Sequence, residues 1–312
     1  MWGNRVLVAA AAAGLVAAPM LAPAARSSED RPINAPRAAY VNGWPLRTPS
    51  DGVDLDAQGV RVVRAQGKSD LHNAVSIAQY GLGSLDAYRK DRAPARLATA
   101  ATQADWLLQN GQHARGGLYF PYRFAFDLGY RGSGKTIRPP WYSAMAQGMA
   151  LSLLTQLWQA TGDRKWRTAA TDVFDTLDDE GPTEGPWTNF IDPYGYRWFE
   201  EYASPSGATP PMRVLNGHIF AMLGLYDYWR ATGSEAAAQL FAEGAQTVKS
   251  YLPQFRVPGH SSRYMLGIPG LQVPSYHAIH VAQLRALQEI TGDEWFGVEA
   301  DRWASDPPTR GR

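Results

Sequence analysis

From His72 onward, apolar residues recur at three- and four-residue spacing, as helices that bury one side require. Met145, Met149, Leu153 and Leu157 illustrate it. The spacing predicts helices over 72–90, 94–109, 142–160, 163–178, 213–231, 235–252, 276–290 and 293–304. The joints between them recur too. Ala160-Thr161-Gly162-Asp163, Ala231-Thr232-Gly233-Ser234 and Ile290-Thr291-Gly292-Asp293 each set glycine where a helix stops and a capping side chain where the next begins. Repeated helical hairpins follow. Their uneven spacing and the long intervening loops (111–140, 179–212 and 253–274) argue against a thin solenoid. The expected fold is therefore all-α, an (α/α) toroid or barrel of helical hairpins whose loops converge on one face. A short N-terminal β segment is expected at Val60-Arg61-Val62-Val63.

Three regions are expected. Residues 1–24 read as an export signal: a positive charge at Arg5, an apolar run from Val6 to Ala18, then Ala22-Pro23-Ala24 before a polar stretch. The run is shorter than the roughly 20 residues of a spanning helix. The expectation is thus a secreted or periplasmic, cell-envelope protein without stable membrane insertion, with an uncleaved anchor as the alternative. Residues 25–70 read as an arm carrying the short strand, and residues 71–312 as the helical domain. The chain has no cysteine, so disulfides, thiolate metal sites and cysteine nucleophiles are excluded. A net charge of +1 gives no global field for nucleic acid, which is not an expected partner; any acidic ligand must be held locally.

Unusual residues concentrate in the loops. Tyr119, Tyr122, Phe124, Tyr130, Trp141 and Tyr142 lie in or beside the first, and Trp187, Phe190, Tyr194, Tyr196, Trp198, Phe199 and Tyr202 in the second. Aromatic faces suit sugars, and they also plug barrel ends. Polar groups in Trp141-Tyr142-Ser143, Glu200-Glu201-Tyr202, Val214-Leu215-Asn216-Gly217 and Tyr276-His277-Ala278-Ile279-His280 fall at or before helix N-termini, where free amides and the helix dipole favour an anion. Tyr276 and His280, four apart, share a helix face. A phenol becomes a usable base only when its surroundings adjust it, and Glu201 can activate a tyrosine or a water or simply accept a hydrogen bond. His218 alone reads as a satisfied helix residue. His277 and His280 sit at metal-ligand spacing, but without an HExxH word or a third ligand no metal is expected. GxSxG, P-loop and strand-linked GxGxxG words are missing, which removes the usual apparatus of serine hydrolysis, phosphoryl transfer and dinucleotide chemistry.

The words "VSIAQYGLGSLDAY" (75–88), "PPWYSAMAQGMALSLL" (139–154), "FEEYASP" (199–205), "VLNGHIFAMLGLYDYWRATG" (214–233), "YMLGIPG" (264–270) and "YHAIHVAQLRAL" (276–287) run in the order of the D-glucuronyl C5-epimerase family. Over residues 60–305 the chain resembles that family's C-terminal helical catalytic domain. The resemblance implies inversion of C5 of D-glucuronyl residues in an acidic polysaccharide or oligosaccharide, by proton abstraction and reprotonation, with no cofactor. By similarity, Tyr202 and Tyr276 fall on catalytic tyrosines, Glu201 on the acid beside them and Asn216 on a substrate-positioning residue. Tyr142 and His280 join the substrate-binding candidates. Where the family carries Tyr-Asp-Leu-Arg-His, this chain has Gly259-His260-Ser261-Ser262-Arg263-Tyr264, so Arg263 and Tyr264 would supply those groups from shifted positions. A lyase or hydrolase on the same toroid and a non-catalytic saccharide-binding protein are the competing readings.

Overall fold

A computed structural model describes residues 52–65, 67–128, 135–207 and 209–306. The expected signal (1–24), most of the arm and Tyr130 lie outside the described residues. Among them are eight α-helices: α1 (Ala74–Asp91), α2 (Pro94–Asn110), α3 (Ala144–Thr161), α4 (Arg164–Asp178), α5 (Leu215–Thr232), α6 (Glu235–Phe255), α7 (Pro274–Thr291) and α8 (Glu294–Ala304). They pair as four hairpins, α1 with α2 through α7 with α8. The inner helices α1, α3, α5 and α7 then pack side by side in that order, giving an arc of α/α hairpins. No comparable packing joins α7 back to α1 among the described residues. No described helix is long and apolar enough to cross a membrane.

The recurring joints share one construction. Gly162, Gly233 and Gly292 cap α3, α5 and α7 in the left-handed conformation, at φ 71°, 76° and 71°. Glycine holds this conformation without the clash a Cβ would bring. The preceding threonine hydroxyl donates back into its own helix: Thr161 to Leu157 O, Thr232 to Tyr228 O and Thr291 to Leu287 O. The same oxygen accepts the amide N–H two residues on, from Asp163, Ser234 and Asp293. Those residues then cap the next helix with their own side chains.

Helices α3 and α5 are buried almost all the way round, from Ala144 to Leu157 and from Leu215 to Leu225. That suits their largely apolar sequences, since a helix apolar on every side needs cover on every side. Their backbones nearly touch. A Cβ added to Gly224 would lie 2.2 Å from Gly148 O, and one on Gly148 would lie 2.5 Å from Ala221 Cα. The outer helix α4 buries only one stripe, including Trp166, Val173 and Leu177.

The N-terminal β segment is a hairpin displaced from the expected position, β1 (Val63–Ala65) against β2 (Lys68–Leu71), while Arg61 makes an isolated bridge to Leu55. The long loops hold further short strands: β3 (Gln112–Ala114) pairs with β4 (Gly117–Tyr119), and β5 (Phe126–Asp127) with β6 (Thr136–Ile137). A three-stranded sheet joins β7 (Glu180–Gly181), β8 (Asn189–Ile191) and β9 (Arg197–Phe199), β7 parallel and β9 antiparallel to β8. Single bridges, Tyr122 to Trp141, Tyr142 to Ala203 and Val214 to Met265, tie the loops together at the N-terminal ends of α3 and α5.

Candidate active site

Just beyond β9 the chain enters Glu200-Glu201-Tyr202, and the backbone fixes this stretch before any side chain acts. Glu200 N donates to Thr188 O, Ala144 N to Glu200 O, and Tyr142 and Ala203 exchange both amide bonds. The neighbouring carboxylates then diverge. Glu200 is wholly buried and accepts amide N–H bonds from Tyr202 at 2.9 Å and Arg213 at 3.0 Å, so it braces the loop that leads to α5. Burial raises its pKa. Glu201 lies against the first turn of α5, where a Cβ on Gly217 would sit 2.2 Å from its Oε2. Only glycine leaves room for that carboxylate.

Glu201 Oε1 accepts from the Tyr264 phenol at 3.1 Å, and Oε2 has no hydrogen-bond partner in the protein. Burial pushes its pKa from 4.5 to about 7. Hydrogen bonds from the Tyr202 and Tyr264 phenols pull it down, and the Glu200 charge pushes it up. The Tyr202 and Tyr264 hydroxyls are 2.9 Å apart, and the Tyr264 and Tyr276 rings 4.6 Å apart. Residues from three separate regions of the chain therefore form one continuous group.

That group borders a cleft of about 230 Å³. Its walls come from the start of α1 (Asn73, Val75, Ser76, Gln79), the first long loop (Tyr122, Phe124, Phe126, Trp141), the start of α3 (Ser143, Met145), Glu201 with Tyr202, and Tyr276 at the start of α7. The expected convergence of loops and helix ends is realised here. Tyr202 is held between Phe126, with ring centroids 5.9 Å apart and nearly parallel, and Trp141. Asn73 caps α1, and the Tyr122 phenol accepts Val75 N. Among the described residues no lysine or arginine lines the cleft.

The sequence-based candidates divide. Glu201, Tyr202 and Tyr276 line the cleft, and Tyr264 lies behind it, bonded to two of its groups. Asn216 sits beneath the floor: its side-chain amide meets Met145 Sδ at 3.9 Å, its backbone carbonyl accepts from Gln283, and its Oδ1 has no partner. Arg263 does not join the cleft. Its guanidinium donates to Gln254 O at 2.7 Å, because the bridge of Arg263 with Gln272 turns consecutive side chains to opposite sides. Tyr142 also points elsewhere, donating to Gln112 Oε1 and packing edge-on against Tyr119. His280, on the buried face of α7, pairs with Ser262 Oγ at 2.8 Å, and burial lowers its pKa to about 3, so it is neutral. His277 accepts Ser262 N–H and donates to Trp303 O, which occupies both ring nitrogens. His218, also neutral, accepts from Phe199 N and donates to Gly244 O, as expected of a satisfied helix residue. Trp187, Trp198 and Phe199 are fully buried packing, so of the second aromatic cluster only Tyr202 reaches the cleft.

Gln79 is the addition that sequence reasoning missed. It lines the cleft, and its Nε2 is a buried donor with no partner in the protein. Its signal was present, because it stands inside the Ala-Gln-Tyr-Gly-Leu word (78–82).

The family model described as D-glucuronyl C5-epimerase C-terminus matches residues 117–305. The chain belongs to that family. It is 32% identical over 223 residues to D-glucuronyl C5-epimerase of Caenorhabditis elegans, a match covering 64% of this chain and 33% of the relative. The chain thus spans about a third of that relative's length. Among solved structures, a D-mannose isomerase superposes with a TM-score of 0.56 at 12% identity, over 81% of this chain and 65% of that one. The cellobiose 2-epimerase of Bacillus thermoamylovorans gives 0.54 at 13%, over 75% and 60%. At such identities the likeness concerns the fold, that of helical-hairpin toroids.

Proposed function

We propose that this family member is a carbohydrate epimerase that inverts C5 of uronosyl units in an acidic saccharide. The observation that carries this reading is that Tyr202 and Tyr276, 74 positions apart in sequence, line one cleft, with Tyr202 joined through Tyr264 to Glu201. An epimerase needs a base on one face of the ring and an acid on the other, and two phenols on different walls supply the pair.

The hydrogen-bond chain supports a route for the first proton. As Tyr202 takes the C5 proton, its own hydroxyl proton passes to Tyr264, and that of Tyr264 to Glu201 Oε1. Glu201 starts ionised and ends neutral, and the electron pair of the broken C–H bond spreads onto the substrate carboxylate. A carboxylate adjusted to about 7 suits this work near neutral pH, because it accepts a proton without being permanently protonated. Tyr276 then donates to C5 from the other side, and its phenolate recovers a proton as Glu201 releases one. Gln79 Nε2 is the unpaired donor suited to the carboxylate oxygens where charge develops.

The deciding experiment is incubation with a glucuronan and with a heparosan-like polymer in deuterium oxide. Deuterium at C5, seen by nuclear magnetic resonance, is the expected result, and no exchange with any uronan overturns the reading. An unsaturated, ultraviolet-absorbing product instead means elimination. We also propose export, on the layout of residues 1–24. Purification from the host's envelope fraction should yield a chain beginning after residue 24; a cytosolic chain retaining those residues would refute it.

A further inference from the structure

A second cavity, of about 290 Å³, adjoins the cleft and plays no part in the proton transfers. Its lining includes His72, Trp106, Asn110, Arg123 and Phe124. The partition between the two is thin. Along the first long loop Tyr122 and Phe126 border the cleft, Pro121 and Arg123 border the second cavity, and Phe124 borders both. The start of α1 divides the same way, with His72 and Ala74 on one side and Asn73, Val75 and Ser76 on the other. The two cavities therefore lie on either side of one shared wall, close enough for neighbouring units of one ligand.

Its chemistry suits a charged sugar. Trp106 supplies an aromatic wall made rigid by His72, whose ring stacks on it at 4.7 Å and whose Nε2 is anchored to Asp56 Oδ2 at 2.8 Å. Flat apolar walls of this kind hold the weakly apolar faces of pyranoses. Arg123 is exposed, and its guanidinium has no hydrogen-bond or ion-pair partner among the described residues. It is a cation beside the neighbouring cleft, whose own described lining has none, and a guanidinium grips a carboxylate or sulfate by two parallel bonds. Asn110 supplies a neutral amide for hydroxyls. Asp70, exposed and at φ 56°, is the one acid on the lining. It can accept sugar hydroxyls, and its charge opposes that of Arg123, so the anionic group must be seated by direct contact rather than by a general field.

We propose that this cavity is a second saccharide subsite, taking an anionic sugar unit of the same chain whose reacting unit occupies the cleft, with Arg123 reading its carboxylate or sulfate. This rests on the uronosyl reading of the cleft, and the test separates the two. Heparosan-type di- and tetrasaccharides, and a tetrasaccharide with its carboxyls reduced to alcohols, are titrated calorimetrically into the full chain and into Arg123→Gln; C5 deuterium exchange is followed in parallel. The wild-type chain should bind the acidic tetrasaccharide about tenfold more tightly than the disaccharide, the size of one charge-assisted hydrogen bond. That ratio should fall towards one in Arg123→Gln, and the reduced tetrasaccharide should show no gain with either protein. Loss of exchange on every substrate with the Arg123-dependent ratio intact removes the epimerase reading and leaves the subsite. Exchange with a ratio that ignores Arg123, or no length dependence in the wild type, overturns the subsite.

Discussion

Replacing Glu201 by glutamine keeps the shape of the side chain against Gly217 and an acceptor for the Tyr264 phenol, and removes only the ionisation. Burial raises this carboxyl from 4.5 to about 7, which corresponds to about 3 kcal/mol held in its protonation equilibrium. Below pH 4.5 both the folded and unfolded chains carry the proton, and the group leaves stability unaffected. Between 4.5 and about 7 the unfolded chain ionises while the folded chain keeps its proton, so stability falls as pH rises. Above about 7 the folded chain holds a buried charge and the loss is complete. Urea unfolding followed at pH 4.5, 6, 7 and 8 should therefore show the wild type losing more stability across this range than Glu201→Gln, by up to about 3 kcal/mol. Well below pH 4.5 the two should differ little in slope with pH, since the folded and unfolded forms of the wild type then both carry the proton. Parallel curves would refute the reasoning, since Glu201 would then be solvated or paired and unable to accept a relayed proton near neutrality.

Tyr202→Phe and Tyr276→Phe should each lower C5 exchange by at least ~10²-fold while thermal melting stays close to wild type; retained exchange in either would remove that phenol from the proton path. Tyr264→Phe removes the hydroxyl that bonds both Tyr202 and Glu201, leaving the Tyr202 phenol as the other hydrogen-bond partner of that carboxylate. It should lower kcat more than KM and shift the alkaline rise of the pH–rate profile, whereas a purely structural role would move stability alone. Gly224→Ala forces a methyl group onto Gly148 O and should cost about 1–3 kcal/mol in chemical unfolding; an unchanged midpoint would mean that α3 and α5 separate freely.

Helix periodicity and the threonine-glycine joints made the hairpins legible before any coordinates, because both signals are local: one turn of helix and one cap decide them. The short strands in the loops were not legible. Pairs such as Phe126–Asp127 with Thr136–Ile137 are too brief to show alternation and exist because the surrounding helices hold them together. Of the adjacent glutamates, sequence reasoning selected Glu201 as the chemical one, and the geometry assigns Glu200 to bracing the backbone. Nothing in the residue types alone separates them, since the difference lies in which way an extended segment points each side chain. Arg263 failed for the same reason in reverse. Its position in the chain was close to the site, but the bridge to Gln272 sends its neighbour Tyr264 inward and Arg263 out. Tyr142 is another case in which proximity in sequence did not translate into a shared cavity.

Among the described residues, the first and last inner helices lack the close packing that joins their neighbours, yet Ser76 and Gln79 on α1 line the same cleft as Tyr276 on α7. A sugar seated there spans the seam and acts as a clasp, so occupancy should tighten the fold as a whole rather than one loop. The gain grows only with the logarithm of ligand concentration over Kd. The ends of the arc are thus joined through the ligand, and resistance to unfolding should rise with saccharide concentration across the whole chain.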